Sequence, residues 1–170
     1  MVSFGIIDDD PACRRMLENI IEESHLGIVV INSAGGVDVI EDILVSNPQV
    51  VLIDLLMPNM DGITVITKLK KLGYSGTFIM ISQVDNKSMV EEAYKNGIEF
   101  YIYKPINRVE VKTVIEKVKE KFKLYRSLDA IKDFLSPPQA ANKNKIAANT
   151  NELNITLFII LLPLSILNFV

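Results

Sequence analysis

One stretch of the sequence, from Val50 to Gly62, limits the fold of the whole chain more than any other. It begins with an unbroken apolar run, Val50 to Ile53, and stops at a single carboxylate, Asp54. Short aliphatic runs without polar alternation indicate a strand that is covered on both faces, as in a parallel sheet. Open α/β sheets place their ligand sites at the carboxyl ends of such strands. Asp54 therefore has two interpretations at this point, a cap of the following turn or a residue that takes part in chemistry.

The rest of the chain repeats this pattern, because apolar runs of strand length alternate with segments of helical periodicity. A first helix starts at Pro11, with Met16, Leu17, Ile20 and Ile21 at helical spacing. Strand-like runs alternating with helices predict a single parallel sheet with helices on both faces. The five predicted strands are Val2 to Ile7, Ile28 to Ile31, Val50 to Ile53, Thr77 to Ile81 and Phe100 to Tyr103.

The last helix starts near Asn107, and its apolar spacing continues beyond the end of the predicted sheet. We expect it to run to about Leu135, before Pro137, although an ordinary last helix that frays after Phe122 also fits. The expected organisation is a first domain over residues 1–122, a helical extension over 123–138, a disordered, low-complexity linker over 139–154 and an apolar tail over 155–170.

Charge and cysteine content exclude several classes of protein. A net charge of −3 and a pI near 5.2 give no basic surface for nucleic acid. The lysines between Lys112 and Lys123 alternate with Glu116 and Glu120, which is typical of a solvated helix face. The single cysteine, Cys13, rules out an internal disulfide framework and is expected in the core. With no secretory signal at the amino terminus, we expect a cytoplasmic protein.

Polar side chains of complementary types follow four of the five predicted strands. In a parallel sheet these strand ends lie at one edge, so their side chains are expected to meet. Clustered carboxylates repel one another unless a cation joins them, and Mg²⁺ is the cation that prefers carboxylate and phosphate oxygens. A lysine and a hydroxyl would then bind a phosphoryl group, and an aspartate can accept one. The residues are Asp8 and Asp9, Asp54, Ser82, and Lys104.

These residues, together with the turn from Met57 to Gly62, resemble the receiver domain of two-component response regulators over about residues 3 to 122. The resemblance implies a flavodoxin-like, doubly wound five-stranded parallel sheet in the order 2-1-3-4-5 with five helices. It also implies that Asp54 is the phosphorylation site. Asp8, Asp9, Asp54 and the backbone carbonyl of Leu56 would then bind Mg²⁺.

The resemblance assigns roles to three further residues. Ser82 and Lys104 would bind the phosphoryl group, and Lys104 precedes a proline that is usually cis in the family. Tyr101 would be the aromatic residue of the conformational switch, turning inward when Asp54 is phosphorylated. The only histidine, His25, is expected to be structural, which excludes a metal site with several histidines.

The implied function is that of a response regulator. A sensor histidine kinase would phosphorylate Asp54, and the switch would act on a downstream output protein or on an output domain missing from this sequence. The protein would catalyse only its own phosphorylation and dephosphorylation. A homodimer through the last two helices is also compatible with the resemblance, whereas direct binding of the receiver to nucleic acid is not expected.

Three rival interpretations fit less well. A haloacid-dehalogenase-type phosphatase would use Asp8 as its nucleophile, but the acids that follow Lys104 are Glu110 and Glu116 on a predicted helix. A binding module that takes no phosphate would not need the intact acidic cluster. A flavin-binding protein would need a Ser/Thr/Gly-rich phosphate loop where Asp8 to Pro11 stands.

The apolar tail from Ile155 to Val170 has two interpretations, a membrane anchor and a disordered or non-native carboxyl terminus. As a helix, these residues would reach ~24 Å, which is short of a hydrocarbon core of ~30 Å. Pro163 also interrupts the segment. Membrane contact through the tail therefore remains an alternative rather than the first expectation.

Overall fold

The computed structural model describes residues 1–135, in which five strands alternate with five helices. The strands are β1 (Ser3–Ile7), β2 (Ile28–Ser33), β3 (Val50–Ile53), β4 (Thr77–Ser82) and β5 (Phe100–Tyr103). The helices are α1 (Pro11–Glu23), α2 (Val39–Ser46), α3 (Gly62–Lys71), α4 (Lys87–Lys95) and α5 (Arg108–Leu135). The predicted order of elements is confirmed.

All strand pairs are parallel, and the sheet has the order β2-β1-β3-β4-β5. The predicted fold class and strand order are therefore confirmed. Strand β2 lies at one edge of the sheet and is two residues longer at its carboxyl end than the apolar run predicts, ending at Ser33. Its Ile28 and Val30 remain 47% and 39% exposed, because the edge strand is only partly covered.

Two apolar clusters fill the spaces between the sheet and its helices. One face of the sheet packs on α1 and α5, and the other packs on α2, α3 and α4. The first cluster includes Phe4, Ile6, Leu52, Leu17, Ile20, Val111, Ile115 and Val118. The second includes Val51, Ile53, Phe78, Ile43, Ile66, Leu69 and Ala93. The central strands β1, β3 and β4 are covered on both faces, and their carboxyl ends are thereby fixed.

Helix α1 begins where the sequence predicts, but the face that it buries differs slightly from the predicted one. The Asp10 carboxylate accepts a hydrogen bond from the Ala12 amide at 2.8 Å, and Pro11 occupies the first turn. The expectation that Met16 faces the core is wrong, because Met16 is 48% exposed. Cys13 is buried in its place, beside Leu17 and the sheet.

Helix α5 is continuous from Arg108 to Leu135, the last residue that the structure describes, so it does not fray after Phe122. The Asn107 side chain caps its start by accepting from the Val109 and Glu110 amides at 2.9 and 3.3 Å. The chain divides into two compact units, the first from Met1 to Ser127 and the second beginning at Leu128. The predicted linker over 139–154 and apolar tail over 155–170, as well as Pro137, lie outside the described residues. Among residues 1–135, no helix has the length and apolarity needed to cross a membrane.

The start of β3, the strand that carries Asp54 at its other end, is fixed by a buried hydrogen bond from the Tyr74 hydroxyl to the Pro48 carbonyl. Tyr74→Phe would leave that buried carbonyl without its donor. We expect it to lower the free energy of unfolding by about 1–2 kcal/mol in urea denaturation.

Tyr94→Phe is the matched control, because the Tyr94 side chain is 47% exposed on α4. Its effect is expected to stay within about 0.5 kcal/mol. Equal stabilities of the two variants would contradict a structural role for the Tyr74 hydroxyl.

Candidate functional site

The backbone ladder of the sheet continues past the ends of the strands and aligns the residues that follow them. The amide of Asp54 donates to the Ile7 carbonyl at 2.8 Å, and that of Asp8 donates to the Ser33 carbonyl at 3.1 Å. On the other side of the sheet, the Lys104 amide donates to the Ser82 carbonyl at 2.9 Å. The side chains that follow β1, β3 and β5 therefore stand at one edge.

Three carboxylates converge at this edge. Oxygen atoms of Asp8, Asp9 and Asp54 all lie within 4.8 Å of one another. Asp8 and Asp54 are buried, at 1% and 6% exposure, whereas Asp9 is exposed to solvent. Buried carboxylates at such distances need a compensating positive charge, and carboxylate oxygens are ligands for a hard divalent cation. The cluster could hold such a metal ion.

The Lys104 ammonium group supplies part of the compensation. Its Nζ lies 2.6 Å from Asp54 Oδ2 and 2.9 Å from Asp8 Oδ2, so that one cation joins both buried carboxylates. Burial by itself would lower the pKa of Lys104, but the hydrogen bonds and charges of Asp54 and Asp8 outweigh burial and raise this pKa above its ordinary value. Lys104 therefore stays protonated at neutral pH. The Lys104–Pro105 peptide bond is cis.

Backbone amides hold the second oxygen of each buried carboxylate. Asp54 Oδ1 accepts from the Leu56 amide at 3.2 Å, and Asp8 Oδ1 accepts from the Asp10 amide at 3.0 Å. Each carboxylate is thus held at both oxygens, one by an amide and one by the ammonium group. The orientation of both groups is set before any ligand arrives.

The turn after β3 brings the backbone unusually close to Asp54. A Cβ atom on Gly62 would lie 2.3 Å from the Asp54 carbonyl oxygen, so only glycine fits there. Asn59 adopts a left-handed φ of 72°, a conformation that asparagine tolerates better than most residues. Asp61 then caps α3 by accepting from the Thr64 amide at 2.8 Å. Three residues of this turn, Asn59, Asp61 and Gly62, thus follow from its geometry.

Ser82 and Tyr101 lie on the strands next to the acidic cluster. Ser82 is fully buried, and its Oγ accepts from the Val84 amide at 3.3 Å. Tyr101 is 9% exposed, and its hydroxyl donates to the Val84 carbonyl at 2.7 Å. Burial raises the pKa of Tyr101, and a hydrogen bond with Ser82 partly offsets this effect. Both side chains therefore contact the same short loop after β4.

Comparison with known proteins identifies this arrangement. The sequence matches the response regulator receiver domain over residues 4–116. The chain belongs to this family. It is a receiver domain of two-component response regulators, a family that is regulatory rather than a class of metabolic enzyme.

Named relatives agree with this assignment. The transcriptional regulatory protein GlnL of Bacillus subtilis is 47% identical over 134 residues, which cover 78% of this chain but only 42% of GlnL. The chemotaxis protein CheY of the same organism is 30% identical over 66% of this chain and 92% of its own length. Among solved structures, the CheX–CheY–BeF₃–Mg²⁺ complex from Borrelia burgdorferi matches with a TM-score of 0.64 and 25% identity, over 69% of this chain and 88% of that chain.

Two residues beside the receiver's acidic cluster were not predicted as site residues. The Cys13 thiol donates to Asp8 Oδ2 at 2.7 Å. Burial, together with the hydrogen bond and charge of Asp8, raises the pKa of Cys13 and keeps it a neutral thiol. Arg14 donates to the Asp8 and Asp9 carbonyl oxygens at 2.6 and 3.3 Å, fixing the backbone between β1 and α1. For Cys13, the sequence offers only its position on the apolar face of the first helix, which predicts burial but not a contact with Asp8.

The structure therefore brings together four of the predicted site residues, namely Asp8, Asp9, Asp54 and Lys104. Ser82 and Tyr101 lie beside them, contacting the loop after β4. Tyr101 is already buried in this structure, and its movement on phosphorylation stays a prediction. The contact of Leu56 with Asp54 is made by its amide, and the role of its carbonyl in metal binding likewise stays a prediction.

Proposed function

We propose that this receiver accepts a phosphoryl group on Asp54 from a sensor histidine kinase in a reaction that requires Mg²⁺. The observation that carries the proposal is the position of Asp54 Oδ2, 2.6 Å from an ammonium group and within a cluster of three carboxylates. A carboxylate that is held by fixed donors and lies beside a permanent cation is suited to attack phosphorus. The protein would act in the cytoplasm, where a free cysteine such as Cys13 stays reduced.

The residues fit Mg²⁺. Mg²⁺ prefers carboxylate oxygens together with phosphate oxygens and water. The carboxylate oxygens of Asp8, Asp9 and Asp54 lie within 4.8 Å of one another and would hold the ion. We assign the Leu56 carbonyl as a further ligand. When bound, Mg²⁺ neutralises phosphoryl oxygens that the acidic cluster would otherwise repel.

The chain's own groups perform the transfer. One Asp54 carboxylate oxygen forms a bond to phosphorus while the bond from phosphorus to the kinase histidine nitrogen breaks, which leaves an acyl phosphate and a neutral imidazole after proton uptake from water. The Leu56 amide keeps the Asp54 carboxyl plane in place during this attack. Lys104 then pairs with the negative phosphoryl oxygens, which replace the carboxylates as its partners.

The direct test is phosphorylation by a small donor such as acetyl phosphate. We expect one acid-stable, base-labile phosphoryl group on Asp54, found by borohydride trapping and mass mapping. Chelation of the metal should prevent labelling, because the carboxylates then repel the donor. Asp54→Asn should abolish labelling, because an amide is too weak a nucleophile.

Asp38→Asn serves as the matched control, since Asp38 is an exposed aspartate before α2 whose side chain makes no capping hydrogen bond. It should be labelled like the unsubstituted protein. The proposal is falsified if the label lies on Asp8 or another residue, or if no donor labels a chain that demonstrably binds Mg²⁺.

Replacement of Lys104 separates metal binding from phosphoryl binding. Lys104→Ala removes the cation that competes for Asp8 Oδ2 and Asp54 Oδ2, so Mg²⁺ should bind at least as tightly, as measured by calorimetry. Phosphorylation should fail to produce the conformational response, since the phosphoryl group has lost its paired cation.

The control for this variant is Lys87→Ala, because Lys87 is an exposed lysine on α4, 90% accessible at its side chain. Weaker Mg²⁺ binding in Lys104→Ala, with no such change in Lys87→Ala, would show that Lys104 supports the metal site instead of competing with it.

The conformational response is proposed to begin at Ser82 and Tyr101. Ser82 Oγ would leave the Val84 amide to donate its hydroxyl proton to a phosphoryl oxygen, and the loop that also holds Tyr101 would move with it. The surface of α4 and the start of α5 would then change its preference for partners. Such a population shift involves a few kcal/mol at most.

Beryllofluoride tests this switch, and the Borrelia burgdorferi complex with BeF₃ and Mg²⁺ supports its use as a phosphoryl mimic. Amide NMR signals of Met89 to Tyr94 and of Val109 to Val118 should shift when the mimic binds. In Ser82→Ala the shifts should be smaller although Asp54 is still labelled. Spectra of these segments that do not change on addition of the mimic would end the switch proposal.

The output is proposed from the relatives. GlnL is named a transcriptional regulatory protein, and the match covers 42% of its length. We propose that this receiver controls either a separate output protein or an output domain of a longer chain, without itself binding nucleic acid.

The proposed division of the chain remains a receiver over 1–122, a helical extension over 123–138, a linker over 139–154 and a tail over 155–170. A homodimer through α4 and α5 is part of this proposal.

A further inference from the structure

Arg14, in the first turn of α1, holds the backbone that carries two of the three clustered carboxylates. Its Nη1 donates to the Asp8 carbonyl at 2.6 Å and to the Asp9 carbonyl at 3.3 Å. Within residues 1–135, the guanidinium group forms no ion pair with a carboxylate. Arg14 therefore acts on the main chain of the acidic edge and not on its carboxylates.

Asp9 is the carboxylate whose position depends most on that main chain. The carboxylates of Asp8 and Asp54 are each held at both oxygens, by a backbone amide and by Lys104. In the described part of the chain, the exposed Asp9 carboxylate accepts no hydrogen bond, whereas its carbonyl accepts from Arg14. One Asp9 oxygen nevertheless lies within 4.8 Å of the other two carboxylates. The peptide that carries this third ligand therefore sets its position.

A side chain from the edge strand β2 holds Arg14 in turn. Arg14 Nε donates to Asn32 Oδ1 at 2.9 Å, and Asn32 Nδ2 donates to Glu18 Oε2 at 3.0 Å. A guanidinium group has only donors and an ionised carboxylate has only acceptors, so one orientation of the Asn32 amide satisfies both neighbours. We call Glu18, Asn32 and Arg14 the β2 network. It connects α1, the edge strand and the backbone of the acidic edge.

A bulge in β2 places Asn32 where it can make these contacts. Val29 and Ile31 pair with consecutive residues of β1, so Val30 between them is left without a partner. Val29 packs on the apolar cluster under α1, whereas Ile31 lies in the cluster on the other face of the sheet. Strict alternation along a strand would put both on one face. Bulges at sheet edges change the direction of the side chains that follow, and here Asn32 contacts α1.

The end of β2 also holds Asp8 directly. The Asp8 amide donates to the carbonyl of Ser33, the residue after Asn32, at 3.1 Å. The Asp8 carbonyl accepts from Arg14, which Asn32 holds. The edge strand therefore fixes the peptide of Asp8 at its amide and, through Arg14, at its carbonyl.

We propose that the β2 network sets the affinity of the acidic cluster for Mg²⁺ by fixing the main chain of Asp8 and Asp9. Its three members are positioning residues, because they act on the metal ligands and not on the ion. The inference rests on the proposed Mg²⁺ site, but it does not depend on a kinase or on an output partner. Groups that hold metal ligands in place contribute about 10–100-fold to metal affinity. Because the β2 network is exposed, we expect an effect of about tenfold, at the lower end of that range.

Asn32→Ala tests the network without changing the charge of the site. It keeps the guanidinium group but removes the side chain that holds it. The dissociation constant for Mg²⁺, measured by calorimetry on the full chain, should therefore rise about tenfold. Arg14→Lys also keeps the charge but loses the planar fork that reaches Asn32 and the main chain together, and it should have a similar effect.

Two substitutions on α1 are the matched controls. Asn19→Ala and Arg15→Lys make the same changes at exposed residues whose side chains have no hydrogen bond or ion pair in the described part of the chain. Both variants should bind Mg²⁺ as the unsubstituted protein does.

Further measurements separate positioning from a general loss of structure. The midpoint of urea denaturation of Asn32→Ala should equal that of Asn19→Ala. At saturating Mg²⁺, acetyl phosphate should label Asp54 of Asn32→Ala at the rate of the unsubstituted protein, so that only the Mg²⁺ concentration for half-maximal rate rises. The double variant with Asn32→Ala and Arg14→Lys should bind Mg²⁺ no more weakly than either single variant, because both changes interrupt the same series of contacts.

Failure of this inference is distinct from failure of the proposed function. A chain without substitutions that binds no Mg²⁺ overturns the proposed function and this inference together. A chain that binds Mg²⁺ and is labelled at Asp54, while Asn32→Ala binds Mg²⁺ equally well, overturns the β2 network alone. Additive losses of affinity in the double variant also overturn it, because Arg14 and Asn32 would then act independently. The same holds for a labelling rate of Asn32→Ala that stays low at saturating Mg²⁺.

Discussion

The ammonium group of Lys104 lies between two buried carboxylates, and the geometry of the acidic edge depends on this contact. Lys104 follows β5, whereas Asp54 and Asp8 follow β3 and β1, which are two and three strands away. Neighbouring strands are about 4.8 Å apart, so only a long side chain from β5 can reach over β4 to these oxygens. With the strand order 2-1-3-4-5, the site therefore needs a side chain as long as that of lysine after β5.

At this edge the negative charges of the carboxylates outnumber the positive charge of Lys104. Three carboxylates and one ammonium group leave two unbalanced negative charges, and two of the carboxylates are buried. Removal of one partner from a buried ion pair costs about 3–5 kcal/mol, because it leaves the other charge uncompensated. A divalent cation would complete the balance, whereas a phosphoryl group would disturb it again and draw Lys104 away from the carboxylates. Sensitivity to an added phosphoryl group thus follows from the same electrostatics that hold the site together.

The sequence predicts the sheet and the acidic edge well, because both depend on simple patterns. Unbroken apolar runs mark the central strands, and the polar residue that ends each run is placed at the shared edge by the parallel sheet itself. The prediction fails where one residue of helix rotation decides burial. Met16 is expected on the buried face of α1 but is exposed, whereas the prediction that Cys13 lies in the core is confirmed and only its hydrogen bond to Asp8 is missed. The hydrogen bond from the Tyr101 hydroxyl to the Val84 carbonyl likewise depends on the loop after β4, whose path the periodicity of the sequence does not predict.

Helix α5 begins beside the acidic edge. Its start is separated from Lys104 only by Pro105, Ile106 and Asn107, and it continues for 28 residues, about 42 Å at 1.5 Å per residue. Val111, Ile115 and Val118 fix its first half to the sheet, so a displacement of the Lys104 loop acts on a helix that is held along one side. Phe122 also packs partly on this face, whereas the large apolar side chains from Leu124 to Leu135 are exposed. The part of α5 that a rearrangement at Lys104 would reach first is therefore the part that packs on the sheet.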